Sequence, residues 1–146
     1  MDNQPRFKSQ QVNPFFADTR EERPPAAGTV ARGQLAEDDG LNGGLRDGKW
    51  IEAFPVPVTE NLLKRGSERF EIYCAPCHGL AGSGDGIVAV RADRLQEGTW
   101  VPPSSLHAAT VLARPVGHLF NSITNGIRTM PSYGSQIPVS DRWAIV

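Results

Sequence analysis

The chain has 146 residues, 39 % of them hydrophobic, with 15 glycines, 12 prolines and a net charge of −1 at pH 7. This length makes one small domain, or a small domain with a long arm. A charge so close to zero gives no reason to expect nucleic acid as a partner. No apolar run approaches the roughly 20 residues that a membrane-spanning helix needs.

The first 58 residues differ in character from the rest. Prolines and turn-forming residues interrupt this part, and no segment keeps a helical or alternating period. Aromatic residues nevertheless recur along it: Phe7, Phe15, Phe16, Trp50 and Phe54. Such spacing is typical of an extended arm that lies over a partner, with a disordered tail as the alternative. We therefore predict a long irregular arm over residues 1–58 and a domain over residues 59–146.

Helical patterns dominate the domain, and loops rich in glycine and proline separate them. Thr59 is a good N-cap for the first helix, and Ser140 is predicted to cap the last. The last pattern covers about two turns, so we expect the closing helix to be cut short. The predicted helices lie in ENLLKRGSERFEIYC, IVAVRADRLQEG, VGHLFNSITNGIR and SDRWAIV. The fold class is therefore mainly α.

The chemistry is concentrated in IYCAPCHG, which contains both cysteines of the chain, Cys74 and Cys77, followed by His78. A structural zinc site needs four ligands, and this chain has no second cysteine pair to complete one. A redox dithiol normally opens a helix, where the helix dipole lowers the thiol pKa. Here the pair closes a helix and precedes a glycine-rich loop. Both alternatives therefore fit the sequence poorly.

A covalently attached haem fits this spacing better. In CxxCH, each cysteine sulfur reaches one vinyl group of the porphyrin, and the histidine presents its imidazole to the iron. The sequence therefore predicts one haem c, bound through Cys74 and Cys77, with His78 as an axial ligand.

The second axial ligand has three candidates. Met130 lies in RTMPSY, where Pro131 stiffens the loop, about fifty residues after the haem motif. His107 and His118 are the alternatives, and an open site is a further one. We predict Met130, because methionine and histidine together close the iron to substrates and suit electron transfer.

Residues 59–146 resemble the class I cytochrome c domain. The resemblance is carried by Gly66, Phe70, CAPCHG, GSGDG, NGIRTMPSY and Trp143. It implies the class I cytochrome c fold around the haem, with Gly66 and Phe70 packed against Trp143 where the first and last helices cross.

The same resemblance implies further haem contacts. Family members use a carbonyl in a proline-containing loop to accept a hydrogen bond from the proximal histidine, and Pro102 or Pro103 is in the matching segment. Tyr133, in the RTMPSY segment, is predicted to belong to the haem-binding residues as well.

The arm resembles the N-terminal region of the mono-haem cytochrome c subunit of bacterial alternative complex III, through DNQPRFK, FFADTREERPPAAGTVARGQL and the stretch from Trp50 to Pro57. This resemblance implies an electron-transfer subunit of a membrane complex that oxidises quinol, not an enzyme on its own. The implied partners are multihaem cytochrome and membrane subunits, with a soluble carrier or a terminal oxidase as the electron acceptor. A free periplasmic carrier, or a haem domain with a labile distal ligand, is the alternative.

The location follows from the haem. The start of the chain lacks the apolar core of a signal peptide, so the protein is cytosolic or a targeting segment is missing from this sequence. Covalent haem attachment takes place outside the cytoplasmic membrane, so we expect a periplasmic location. The resemblance adds a lipid anchor, which would require a cysteine upstream of the sequence given.

Overall fold

The computed structural model describes residues 4–24, 26–30, 32, 39–95, 98 and 100–146. It divides into two compact units, Met1–Leu35 and Ala36–Val146. None of the helices in these ranges is both long and apolar enough to cross a membrane.

The first unit contains a closed loop. Val12 pairs with Arg20 in an isolated antiparallel bridge, and the Asn13 N–H donates to the Thr19 carbonyl at 2.9 Å. The Asn13 side chain is buried, and its Nδ2 donates to the Glu21 carboxylate. This segment, predicted as part of an irregular arm, therefore has hydrogen-bonded structure of its own.

The second unit begins with short elements and continues with helices. The elements are α1 (Asp39–Gly43), β1 (Leu45–Arg46), β2 (Lys49–Trp50), α2 (Glu60–Tyr73), α3 (Ala75–His78), α4 (Ile87–Leu95), α5 (Ala109–Leu112), α6 (Val116–Asn125) and α7 (Val139–Ile145). The two strands form an antiparallel hairpin in which Leu45 pairs with Trp50. The unit is mainly helical, as predicted.

The starts of α2 and α7 test the two predicted N-caps. Thr59 caps α2, and its side chain accepts a hydrogen bond from the Leu62 N–H at 3.2 Å, which confirms that prediction. The prediction for Ser140 was wrong. The last helix starts at Val139 after Pro138, and Ser140 lies inside it. The ring of Pro138 fixes its φ at a value that suits the residue before a helix. The helix α7 therefore begins without a side-chain cap.

The helices α2 and α7 cross at a glycine. A Cβ on Gly66 would collide with the Ala144 carbonyl oxygen, so only glycine lets α2 approach α7 this closely. The resemblance implied Trp143 as the partner of Gly66, but the nearest atoms belong to Ala144 and Ile145. The indole of Trp143 stacks on Phe120 at 4.1 Å between ring centroids, and the implied packing of Phe70 on Trp143 stays a prediction.

Residues 39–54, which we name the strap, pack on α6 and α7. The Gly117 N–H donates to the Ile51 carbonyl at 3.0 Å, and the Ile51 N–H donates to Gly44 at 3.1 Å. Trp50 meets His118 edge to face at 5.3 Å, and Phe54 meets Trp143 at 6.1 Å. The predicted boundary at residues 58 and 59 stays a prediction, but the contacts of the helical unit extend upstream of it.

Candidate haem site

Cys74, Cys77 and His78 come together at the junction of α2 and α3. Cys74 ends α2, where its N–H donates to the Phe70 carbonyl at 2.9 Å. Its own carbonyl accepts hydrogen bonds from Cys77 at 3.1 Å and from His78 at 2.8 Å. Pro76 favours this turn because its fixed backbone angle suits the start of a helix. The CxxCH motif is therefore folded into one helical turn.

The environment keeps the Cys74 thiol protonated. Burial raises the pKa of Cys74 to about 11, and the neighbouring Cys77 adds to the increase. A thiol with so high a pKa is a weak nucleophile, because the thiolate is the reactive form. Among the described residues, no three His, Cys, Asp or Glu side chains form a group that could hold a metal ion.

The glycine-rich loop after the motif folds back over α3. The Gly84 N–H donates to the His78 carbonyl at 2.7 Å, and the Gly86 N–H donates to Cys77 at 3.1 Å. Gly84 has φ +89°, and a Cβ there would lie 2.5 Å from the Pro103 carbonyl oxygen. The loop therefore requires glycine at this position, and it holds the segment around Pro103 next to the motif.

The surroundings of His78 favour the neutral form of its imidazole. Burial lowers the pKa of His78, and the Ser104 backbone raises it in part. Its buried Nδ1 has no hydrogen-bond partner of normal geometry within the described ranges. The neutral imidazole is the form that binds a metal. The acceptor was predicted at Pro102 or Pro103 and stays a prediction, while the neighbouring backbone in the structure is that of Ser104.

Tyr133 brings a second loop to the motif. Burial is the main cause that raises the pKa of Tyr133, and Cys77 and Cys74 contribute further. Its ring lies 6.4 Å from that of Tyr73 at the end of α2. Met130, three residues earlier in this loop, is half-buried. The loop predicted to supply the second axial ligand therefore lies against the end of α2, next to the motif, through the ring contact of Tyr133 with Tyr73.

The two other histidines are engaged elsewhere. His107 is exposed, and its Nε2 lies 2.5 Å from the Ala81 carbonyl oxygen. His118 packs against Trp50, and its Nδ1 lies 3.4 Å from Ser122 Oγ. Burial lowers the pKa of His118, and the nearby Arg114 lowers it further.

The structure adds a residue that the sequence reading did not single out. The indole Nε1 of Trp100 is buried without a hydrogen-bond acceptor in the part of the chain that the structure describes. A buried donor in that state is costly, so an acceptor is expected. A haem carries carboxylates that can accept this bond. In the sequence, Trp100 could have been found from its position directly before Val101 and the two prolines.

These residues fit a covalent haem. Two cysteine thiols and a neutral imidazole share one helical turn, and the buried indole N–H of Trp100 lacks an acceptor among the described residues. A crossing of α2 and α7 at glycine, combined with a CxxCH turn, defines a cytochrome c domain. Such a domain carries covalently bound haem c and transfers electrons.

The comparison with protein families agrees with this class. The family model of cytochrome c oxidase, cbb3-type, subunit III matches residues 61–146. Since the match covers more than half of the chain, the chain belongs to this family. No curated protein matches the chain.

One solved structure that resembles the chain is the reducing HAO-like protein complex Kustc0457/Kustc0458 of Kuenenia stuttgartiensis. The TM-score is 0.52 at 19 % sequence identity, and the match covers 73 % of this chain and 50 % of that chain. This chain therefore aligns with half of the length of that protein. At this identity the likeness concerns the fold alone.

Proposed function

We propose that this protein is the mono-haem electron-transfer subunit of a membrane complex that oxidises quinol. One haem c is bound through Cys74 and Cys77, and His78 and Met130 are its axial ligands. The haem supplies a one-electron redox centre. The observation that carries the proposal is the CxxCH turn, with the loop of Met130 and Tyr133 lying against the end of α2 directly before Cys74.

Three features of the chain support Met130 over the histidines. Its main chain is fixed by two hydrogen bonds with Ile127, of 2.9 and 3.1 Å. Pro131 follows and limits the backbone further. His107 and His118 both have contacts outside the motif. A methionine ligand closes the iron to small molecules, so the domain relays electrons and does not act as an enzyme by itself.

The first test concerns the cofactor and its ligands. The chain is produced with a c-type haem maturation system, and its alkaline pyridine haemochrome spectrum and intact mass are measured. One haem per chain with a c-type spectrum supports the proposal, and a spectrum without a c-type band refutes it. Met130→Ala should remove the long-wavelength charge-transfer absorption of a methionine sulfur on ferric haem. His118→Ala should keep it.

Exposed aromatic residues in the first unit support a partner protein. Phe15 is 82 % exposed, and Phe7 lies edge to face with it at 6.0 Å between centroids. Arg23 lies 4.3 Å over the ring of Phe16 and pairs with Asp18. Aromatic residues beside arginine are enriched at protein interfaces. We therefore propose that this unit binds the other subunits, among them multihaem cytochrome and membrane subunits.

The second test concerns the assembly. A tagged chain is recovered from its native membranes in mild detergent, and co-purifying haem proteins and quinol oxidation are measured. Phe15→Ala should reduce co-purification, whereas Leu112→Ala, which truncates another exposed large hydrophobic residue in the other unit, should not. Recovery of a monomer from the soluble fraction only would favour a free carrier instead.

We also propose where the protein lies and what accepts its electrons. A periplasmic site at the membrane, with a lipid anchor upstream of the sequence given, would let the haem pass electrons to a soluble carrier or a terminal oxidase. Protease added to spheroplasts should digest the tagged chain, and protection from protease until lysis would refute a periplasmic site.

A further inference from the structure

The loop that presents Met130 is tied to the end of α6. Ser132 Oγ donates to the Thr124 carbonyl at 2.6 Å, and the Gly134 N–H donates to the same carbonyl at 3.1 Å. The Tyr133 N–H donates to the Ile123 carbonyl at 2.9 Å. The last carbonyls of a helix have no partner within it, so the loop satisfies them. These bonds fix the chain directly after Met130.

A tight turn fixes the chain directly before Met130. Ile127 and Met130 exchange both of their main-chain hydrogen bonds, and Arg128 between them has φ +54°. A Cβ on Gly126 would lie 2.5 Å from the Met130 carbonyl oxygen. The Met130 backbone therefore lies between two anchored points, the turn and the bonds to Thr124.

Thr124 is itself held by a buried arginine. Thr124 Oγ1 donates to the Phe120 carbonyl at 2.8 Å and accepts a hydrogen bond from Arg142 Nη1 at 2.5 Å. Arg142 is only 6 % exposed, and its guanidinium lies 4.9 Å over the Phe120 ring. No acidic side chain within the described ranges forms an ion pair with it, and its buried Nε has no partner there.

A buried arginine without a carboxylate is unusual, because desolvating its charge is costly. Its interactions here are the Thr124 hydroxyl and the Phe120 ring, both on α6. Arg142 therefore fixes the last turn of α6 to α7, and the Met130 loop is attached to that turn.

We propose that Arg142 and Thr124 are positioning residues for Met130: through the Thr124 carbonyl they hold the loop that presents its sulfur. The inference rests on the proposed function, in which Met130 is an axial ligand. A thioether is a weak ligand, so its hold on iron depends on the loop being in place beforehand. Loss of the Arg142–Thr124 link should therefore expose the iron to competing ligands.

The experiment measures imidazole binding to the ferric holoprotein, because imidazole binds where the methionine sulfur has left. Thr124→Val removes the hydroxyl at nearly constant size, and Ser132→Ala removes the bond from the loop side. Each should tighten the apparent imidazole affinity about five-fold, which corresponds to one net hydrogen bond of about 1 kcal/mol. Arg142→Met, which keeps most of the stem, should act in the same direction.

Two controls separate positioning from general destabilisation. Thr59→Val removes a capping hydroxyl at the start of α2, away from the Met130 loop in the chain. It should lower the free energy of unfolding by about 1 kcal/mol and leave the imidazole affinity unchanged. Thr124→Ser keeps the hydroxyl and should restore the wild-type affinity, which remains measurable if Thr124→Val does not fold.

The outcomes distinguish the two proposals. If Met130→Ala keeps the sulfur charge-transfer band, Met130 is not the ligand and that part of the proposed function fails. If Met130→Ala loses the band while Thr124→Val, Ser132→Ala and Arg142→Met keep wild-type imidazole affinity, the positioning role is refuted and the ligand assignment stands.

Discussion

The indole N–H of Trp143 donates a hydrogen bond of 2.6 Å to the backbone carbonyl of Leu41, a residue 102 positions earlier. Trp143 is fully buried, so this carbonyl satisfies a donor that would otherwise be costly to bury. The bond joins the strap to the last helix. The strap is therefore part of the packing of the helical unit.

The strap should be sensitive to one methyl group on α6. A Cβ on Gly117 would collide with the Gly44 carbonyl oxygen and lie 2.9 Å from the Ile51 nitrogen. Gly117→Ala should therefore push the strap away and lower the free energy of unfolding by about 1–3 kcal/mol. Denaturant unfolding followed by tryptophan fluorescence measures this.

The matched control for that substitution is Gly43→Ala. Gly43 has no atom within 4 Å of its Cβ position, so the same change should leave stability nearly constant. Equal losses for the two variants would mean that the strap contact contributes nothing specific.

The strap also shows what the sequence could not reveal. Its elements have five and two residues, too few to produce a helical or alternating period. The 14-residue α2, by contrast, has both a capping threonine and a periodic apolar face, and it was predicted with its N-cap. Short elements held by distant contacts leave no local signal, whereas long amphipathic ones do.

The candidate haem site likewise has residues that the sequence predicts and residues that only the tertiary contacts bring in. Cys74, Cys77 and His78 are neighbours in the chain, so one helical turn is enough to bring them together. The Ser104 backbone reaches His78 only because the glycine loop folds back, and that path depends on tertiary contacts. No local pattern marks Arg142 as buried, since its burial depends on the packing of α7 against α6.

The close crossing of α2 and α7 predicts that Gly66→Ala changes stability in the opposite direction to the same substitution in an exposed helix. In an exposed helix, changing glycine to alanine stabilises by about 1 kcal/mol. At Gly66 the added methyl would collide with the Ala144 carbonyl oxygen and lie 2.7 Å from its carbon. Gly66→Ala should therefore destabilise by about 1–3 kcal/mol in thermal or denaturant unfolding. The neighbouring exposed Ser67→Ala should stay near wild type, and a stabilised Gly66→Ala would refute the close crossing.

The same crossing should depend on pH through Asp141. Arg65 donates to its two carboxylate oxygens at 2.9 and 2.7 Å, and Arg69 pairs with it at 3.2 Å. The Arg65 hydrogen bonds are the main cause that lowers the pKa of Asp141 below its ordinary value of 3.8, and the charges of Arg65 and Arg69 add to them. Burial of the carboxylate, which is only 11 % exposed, opposes this shift.

Because the folded-state pKa lies below the unfolded one, the stabilisation is complete above about pH 4 and is lost as pH falls through the folded-state value. Asp141→Asn should therefore be less stable than wild type at pH 7, and the difference should shrink below pH 4. Urea unfolding at several pH values measures this. Glu68→Gln removes an exposed carboxylate 3.9 Å from the same Arg65 and should change little. A constant gap between wild type and Asp141→Asn at all pH values would contradict the ion pair.

The two thioether bonds can be tested one at a time. In Cys74→Ser or Cys77→Ser, one cysteine remains to attach the porphyrin, and the other vinyl group stays conjugated with the ring. The alkaline pyridine haemochrome band should therefore shift to longer wavelength in either single variant, while intact mass still shows one haem on the chain. The double variant should lose covalent haem altogether. Covalent haem in the double variant, or an unshifted band in both single variants, would show that these cysteines do not form the attachment.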